Sequence, residues 1–177
     1  ALPGAQTALA EAVFAPAKPV VTGVITGRPH PVQTVAEKSR ALLWAFYPGP
    51  WGGQAIAEVL TGAAEPSGCL PVSVPRTTGQ LPVYYNARAS YDPMRYRDVP
   101  NTALYPFGFG LHYAAPAVEA VRCDSAVSAA ALRAGETLTV RCSVRNAAER
   151  PAWATLQLYI HGLSGSVVGR GKELNAL

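Results

Sequence analysis

The chain has 177 residues and a net charge of +4, from 15 Lys/Arg against 11 Asp/Glu; 49% of it is hydrophobic and 15% charged. This balance excludes a disordered polyelectrolyte. The 16 glycines and 16 prolines exclude a helical bundle and favour short elements joined by turns. At roughly 100–200 residues per domain, the length accommodates one domain or two small ones. Its first residue is Ala1 and its sole methionine is Met94, so the chain is expected to be processed or part of something longer.

The first 62 residues alternate helix-like and strand-like segments. Gln6 to Phe14 places Leu9 and Val13 four apart, a short amphipathic helix. Val20 to Thr26 is a nearly continuous β-branched run without period-two alternation, which predicts a strand buried on both faces of a parallel sheet. Val32, Val35 and Ala36 give helical spacing behind Pro29 and Pro31. Ala41 to Tyr47 is a second buried strand, and Gly52 to Thr61 a second amphipathic helix stopped by Gly62. This rhythm predicts a right-handed βαβ unit.

Leu70 to Val74 reads as a short strand ended by Pro75. Tyr84 to Tyr113 is irregular and holds eight of the chain's aromatic residues, a concentration that points to function or to packing against another domain. From Ala117 onward the pattern is all-β. Val118 to Ser125, Thr137 to Asn146 and Ala154 to Ile160 read as strands, with Leu156, Leu158 and Ile160 inward on the last. Three strands resemble the opening of a β-sandwich that needs about seven, so the sandwich is expected to be truncated.

Few motifs carry chemistry. The turn after the first strand lacks GxGxxG, and GRGKE at 169–173 fails the phosphate-loop pattern at Ser166 and Glu173. GxSxG is absent, and His30, His112 and His161 stand apart from one another and from Cys69, so no metal and no cofactor are expected. Basic residues such as Lys18, Arg28, Lys38, Arg76 and Arg133 are scattered, so nucleic acid is not expected as a partner. No apolar run reaches ~18 residues, so no membrane span is expected either. Glu11, Glu37 and Glu58 read as solvated helix faces, Asp92 as a turn residue before Pro93, and Asp98 as lying in the aromatic loop.

In an open parallel sheet, ligands gather at the carboxyl ends of strands. Those ends are Gly27-Arg28-Pro29-His30 and Tyr47-Pro48-Gly49-Pro50-Trp51. Arg28 and His30 are therefore candidate substrate-binding residues, and Trp51 a candidate stacking surface; packing against a neighbouring domain is the alternative for all three. A hairpin centred between residues 132 and 133 would set Cys123 opposite Cys142, within disulfide range. Such a bridge would imply an oxidising compartment, periplasmic or secreted; a cytoplasmic location is the alternative.

Several segments carry a resemblance: LPGAQTALAEAV at 2–13, KPVVTGVITGRPHPV at 18–32, and ALLWAFYPGPWGGQAIAEVLTGAAEPSGCLPVSVPRTTGQLPVYYN at 41–86. YRDVPNTALYPFGFGLHY at 96–113, AGETLTVRCSVRNAAERPA at 134–152, and LQLYIHGL with GRGKEL inside 156–174 continue it. In this order and spacing the chain resembles the C-terminal half of glycoside hydrolase family 3, the β-glucosidase and β-xylosidase family. The resemblance implies an α/β sandwich domain over residues 1–115 and a truncated fibronectin type III-like domain over 116–177. It further implies a parent enzyme that cleaves non-reducing terminal β-linked sugars with retention, acting on a β-linked oligosaccharide or aryl glucoside, most readily a β-glucosidase, with β-xylosidase as alternative. In that family an N-terminal (β/α)8 barrel supplies the Asp nucleophile, and the acid/base Glu lies just before the LPG segment. Neither matches a residue here, so no catalytic residue is assigned and the chain is expected to be inactive alone. Cys69 stands where the family commonly has Lys, and His30 and His112 also depart from common usage. A stand-alone carbohydrate-binding or scaffold module is the competing reading.

Overall fold

The computed structural model describes residues 2–88, 98–124, 126–161 and 169–176. It divides into two units. The first comprises Ala1–Ala64, Gly68–Gly110 and Leu156–Leu177; the second comprises Glu65–Ser67 and Leu111–Thr155.

The first unit opens with helix α1 (Gln6–Phe14), strand β1 (Val21–Ile25), helix α2 (Gln33–Lys38), strand β2 (Ala41–Phe46) and helix α3 (Gly52–Thr61). β1 and β2 pair in parallel, Val21 with Ala41 through Val24 with Trp44, and α2 makes the crossover that parallel strands require. The β-branched run thus forms its strand, and α3 keeps the bounds its glycines set. Gly62 adopts φ 79° at the C-cap, a left-handed conformation that glycine takes at little cost. The expected burial on both faces does not occur. Val24 is buried in β1, whereas Val21 and Ile25 are exposed. The cause is that the described sheet has two strands, so it lacks the neighbours and layers that would cover both faces.

Leu70 to Val74 forms no regular strand. It lies along 104–109 through Leu70 N–H to Phe109 O, Gly108 N–H to Leu70 O, and Val74 N–H to Tyr105 O, with one bridge at Val74–Tyr105. Pro71 has no N–H and Pro75 follows Val74, so a continuous ladder is impossible there. Val74 and Pro75 are nevertheless the most fully buried side chains. Beside them Gln80, 4% exposed, accepts from Arg76 N–H at 2.8 Å. Its Nε2 faces the carbonyls of Pro100, Asn101 and Thr102 at 3.2, 3.2 and 3.0 Å. One buried amide thereby ties residues 76–80 to 100–102.

Strand β5 (Leu158–Ile160) pairs antiparallel with β6 (Glu173–Ala176), an element the sequence did not predict. The inward face is the reverse of the expected one. Leu158 and Ile160 are exposed, while Tyr159 packs edge-on to Tyr85, receives Lys172 Nζ 4.5 Å above its ring, and donates to Gln157. Tyr85 also stacks on Phe107, with centroids 4.5 Å apart. Aromatic edges and a cation outweigh aliphatic alternation here.

In the second unit, β3 (Ala117–Cys123) and β4 (Val140–Arg145) form an antiparallel ribbon, joined through helix α4 (Ala129–Arg133), whose N-cap Ser128 accepts from Ala131 N–H. The α4 turn moves the register from the expected centre. Cys123 faces Val140 and Cys142 faces Val121, so the two thiols are diagonal, about 7 Å or more apart at Cα, and both are free. The direct opposition expected for a Cys123–Cys142 bridge is therefore not found. Glu65 fastens this unit: its Oε1 accepts Ala114 N–H at 2.9 Å and its Oε2 meets Arg150 Nε at 2.8 Å.

Replacing Gln80 by Ala strands buried backbone groups and should destabilise the protein by about 2 kcal/mol. Gln54→Ala, which removes an exposed bond to Glu58, should change stability by less than about 0.5 kcal/mol. Urea denaturation of both variants checks this; equal midpoints would show that the buried amide is not a stabilising tie.

Candidate functional site

Parallel pairing places the carboxyl ends of β1 and β2 on one edge. Thr26 N–H donates to Phe46 O at 3.1 Å, carrying the ladder one bond past β1. The hydroxyl of Thr26 then closes the loop that follows: its Oγ1 donates to Arg28 O at 3.2 Å and accepts Arg28 N–H at 3.4 Å.

The two loops meet at Gly27. A Cβ on this residue would lie 2.6 Å from Cε2 of Tyr47, so the Tyr47 ring covers the glycine and a side chain here would push that ring aside. The next turn is as tight. A Cβ on Gly52 would lie 2.5 Å from Cγ of Pro48, and Gly52 N–H donates to Gly49 O at 3.1 Å. These contacts fix the start of α3 and place Trp51 at its N-cap. Trp51 is 76% exposed and Tyr47 79%. Two large aromatic side chains thus stand in solvent on one loop, where burial of apolar area would ordinarily draw them in.

Arg28 is exposed and His30 half-buried. Partial burial, then the positive charge of Arg28, pushes His30 below its ordinary 6.5. Near neutral pH the imidazole is therefore uncharged, with one nitrogen to donate and one to accept. Of the predicted site residues, the structure links Arg28 and His30 electrostatically, and no hydrogen bond or ring contact joins Trp51 to either among the described residues. Tyr47 was not predicted as a site residue. Its signal was the parallel register, which sets the residue after β2 beside the glycine after β1.

The loops 26–32 and 47–51 contain no Asp or Glu. Glu37 and Glu58 are occupied on helix surfaces by Gln33 and Gln54, and Asp98 is exposed. Asp92 lies outside the described residues. Glycosidic cleavage with retention needs two carboxyl groups about 5 Å apart, and the strand-end loops offer none. They carry instead a guanidinium, an imidazole and two exposed aromatic side chains.

A family model described as "Glycosyl hydrolase family 3 C-terminal domain" matches residues 1–113. A periplasmic beta-glucosidase of Salmonella typhimurium is 34% identical over 98% of this chain and 23% of its own length. A beta-xylosidase of Formosa agariphila is 34% identical over 93% of this chain and 22% of its own. Among solved structures, a beta-glucosidase from Listeria innocua in complex with isofagomine superposes with a TM-score of 0.86 at 36% identity, covering 99% of this chain and 25% of that one. The chain thus spans about a quarter of the length of the relatives it matches.

Burial and the Arg28 charge should give His30 an NMR titration midpoint below 6.5, and Arg28→Gln should raise it only part of the way, because burial is the larger cause. A depressed histidine pKa means that the folded state binds fewer protons than the unfolded one between that midpoint and 6.5. Its contribution to stability is therefore lost as pH falls from 6.5 to the folded midpoint. A midpoint at or above 6.5 would contradict this environment.

Proposed function

The chain belongs to glycoside hydrolase family 3, and we propose that it is the C-terminal part of a retaining, exo-acting β-glycosidase, most readily a β-glucosidase. In this reading the strand-end loops contact the sugar and the chemistry is done elsewhere. Tyr47 and Trp51 offer flat apolar faces to a pyranose ring, while Arg28 and neutral His30 hydrogen-bond its hydroxyls. The nucleophile and the acid/base are carried by residues outside this chain, on a (β/α)8 barrel and just ahead of the LPG segment, so the chain alone does not turn over substrate. One observation carries the proposal: exposed aromatics, a guanidinium and an uncharged imidazole stand on two strand-end loops that contain no Asp or Glu.

The division of the chain into an α/β sandwich part over 1–115 and a fibronectin type III-like part over 116–177 belongs to the same proposal. So does a periplasmic or secreted location, which the name of the Salmonella relative supports. A β-xylosidase is the second reading of the substrate, favoured by the Formosa relative. The two differ by the hydroxymethyl group of glucose, which the loops described above do not discriminate.

The isolated chain should hydrolyse aryl β-glucosides no faster than the buffer blank. In the enzyme that contains it, Trp51→Ala should lower kcat/KM by roughly tenfold through lost ring contact. Turnover by the isolated chain would remove the division of labour, and an unchanged kcat/KM in Trp51→Ala would make Trp51 a packing residue.

A further inference from the structure

The opposite edge of the β1–β2 unit carries a feature that the sugar-contact reading does not use. Where the strands begin, a cleft of about 570 Å³ is lined by Lys18, Lys38 and Arg40, with Glu11 as its one carboxylate and Phe14 and Pro19 among its apolar walls. Among the described residues, none of the three cations takes part in an ion pair or a side-chain hydrogen bond. Three cations against one carboxylate leave the cleft with a net positive charge, which a ligand of complementary charge would meet.

The backbone holds these cations in place. Ala15 N–H donates to Glu11 O at 3.0 Å, and Ala17 turns through φ 55° with its N–H on Phe14 O, which sends Lys18 away from the end of α1. Pro19 then restricts the approach to β1. On the other side, Ser39 Oγ donates to Val35 O at 2.7 Å and lies 2.6 Å from Thr22 Oγ1. Arg40 N–H bonds Val20 O at 2.8 Å, so the segments bearing Lys38 and Arg40 are pinned to the start of β1.

We propose that this cleft is a second binding site, separate from the strand-end loops, and that it takes a carboxylate-bearing sugar such as an oligouronate. The cations would hold the carboxylates, and Phe14 and Pro19 would cover an apolar face of the ring. The anion-binding part rests on the cleft alone; the choice of a sugar as carrier rests on the glycosidase reading. Helix electrostatics offers a competing role for Lys38, which lies in the last turn of α2, where a cation is favoured without any ligand.

Calorimetric and NMR titration of the full 177-residue chain with digalacturonate, pyrophosphate and neutral cellobiose separates these roles. The expected result is millimolar or tighter binding of digalacturonate, shifting amides of residues 14–19 and 38–40 and weakening as salt rises. Lys38→Gln/Arg40→Gln should weaken it by roughly tenfold or more, and Lys18→Gln alone by a smaller factor, while Arg122→Gln on β3 leaves it unchanged. Binding of pyrophosphate without digalacturonate would overturn the sugar assignment. Absence of any anion binding at millimolar concentration, or equal binding by Lys38→Gln/Arg40→Gln and wild type together with lower stability of the variant, would leave helix-end compensation as the role and overturn the site. Cellobiose response at Trp51 and His30 is read separately, so the strand-end proposal can fail while this one stands.

Discussion

Parallel pairing of β1 with β2 is the constraint on which the rest of the first unit depends. Two parallel strands cannot be joined by a tight turn, so the chain must leave the sheet, form α2, and return. That return puts the two carboxyl ends side by side and the two amino ends side by side. At one edge Gly27 slips beneath Tyr47 and the aromatic loop stands open to solvent. At the other, the Arg40–Val20 hydrogen bond holds Lys38 and Arg40 beside the segment that carries Lys18. The chemistry of each edge follows from the ladder, because no local sequence places residue 28 near residue 47 or residue 18 near residue 40.

The local elements were legible where backbone chemistry is decisive. Glycines bound α3 so firmly that its limits are those read from Gly52 and Gly62, and the β-branched run at 20–26 could hardly be anything but a strand. What the sequence hid was long-range. Pairing of β5 with β6 joins segments on either side of a Gly/Ser-rich stretch, and the inward turn of Tyr159 depends on Tyr85 and Lys172, both distant in sequence. The cysteine register failed for a related reason: α4 occupies the connection and displaces the centre of the ribbon. Burial of β1 and β2 was over-read, because a continuous apolar run reports that both faces can be covered and says nothing of whether neighbouring strands are there to cover them.

The candidate site was half legible. Arg28, His30 and Trp51 follow from the rule that ligands gather at strand ends, and the structure places all three on the loops that rule points to. Tyr47 needed the register. The family resemblance, with YPG at 47–49 and LYPFGFGLHY at 104–113 as its most specific parts, named the chemistry that neither edge could have declared alone. The chain covers about a quarter of the relatives' length, which accords with strand-end loops that carry no carboxylate. Under the proposed function, contact and catalysis are separate duties of separate parts of one enzyme.

The central claim is that this chain touches substrate and performs no covalent step. A retaining enzyme passes through a glycosyl ester on its nucleophile, so a fluorinated β-glucoside that stalls at that stage marks the nucleophile by mass. Peptide mapping of the labelled enzyme that contains this chain should find the adduct outside these 177 residues, and the isolated chain should keep its unlabelled mass. A glycosyl adduct on any residue of the chain would contradict the account.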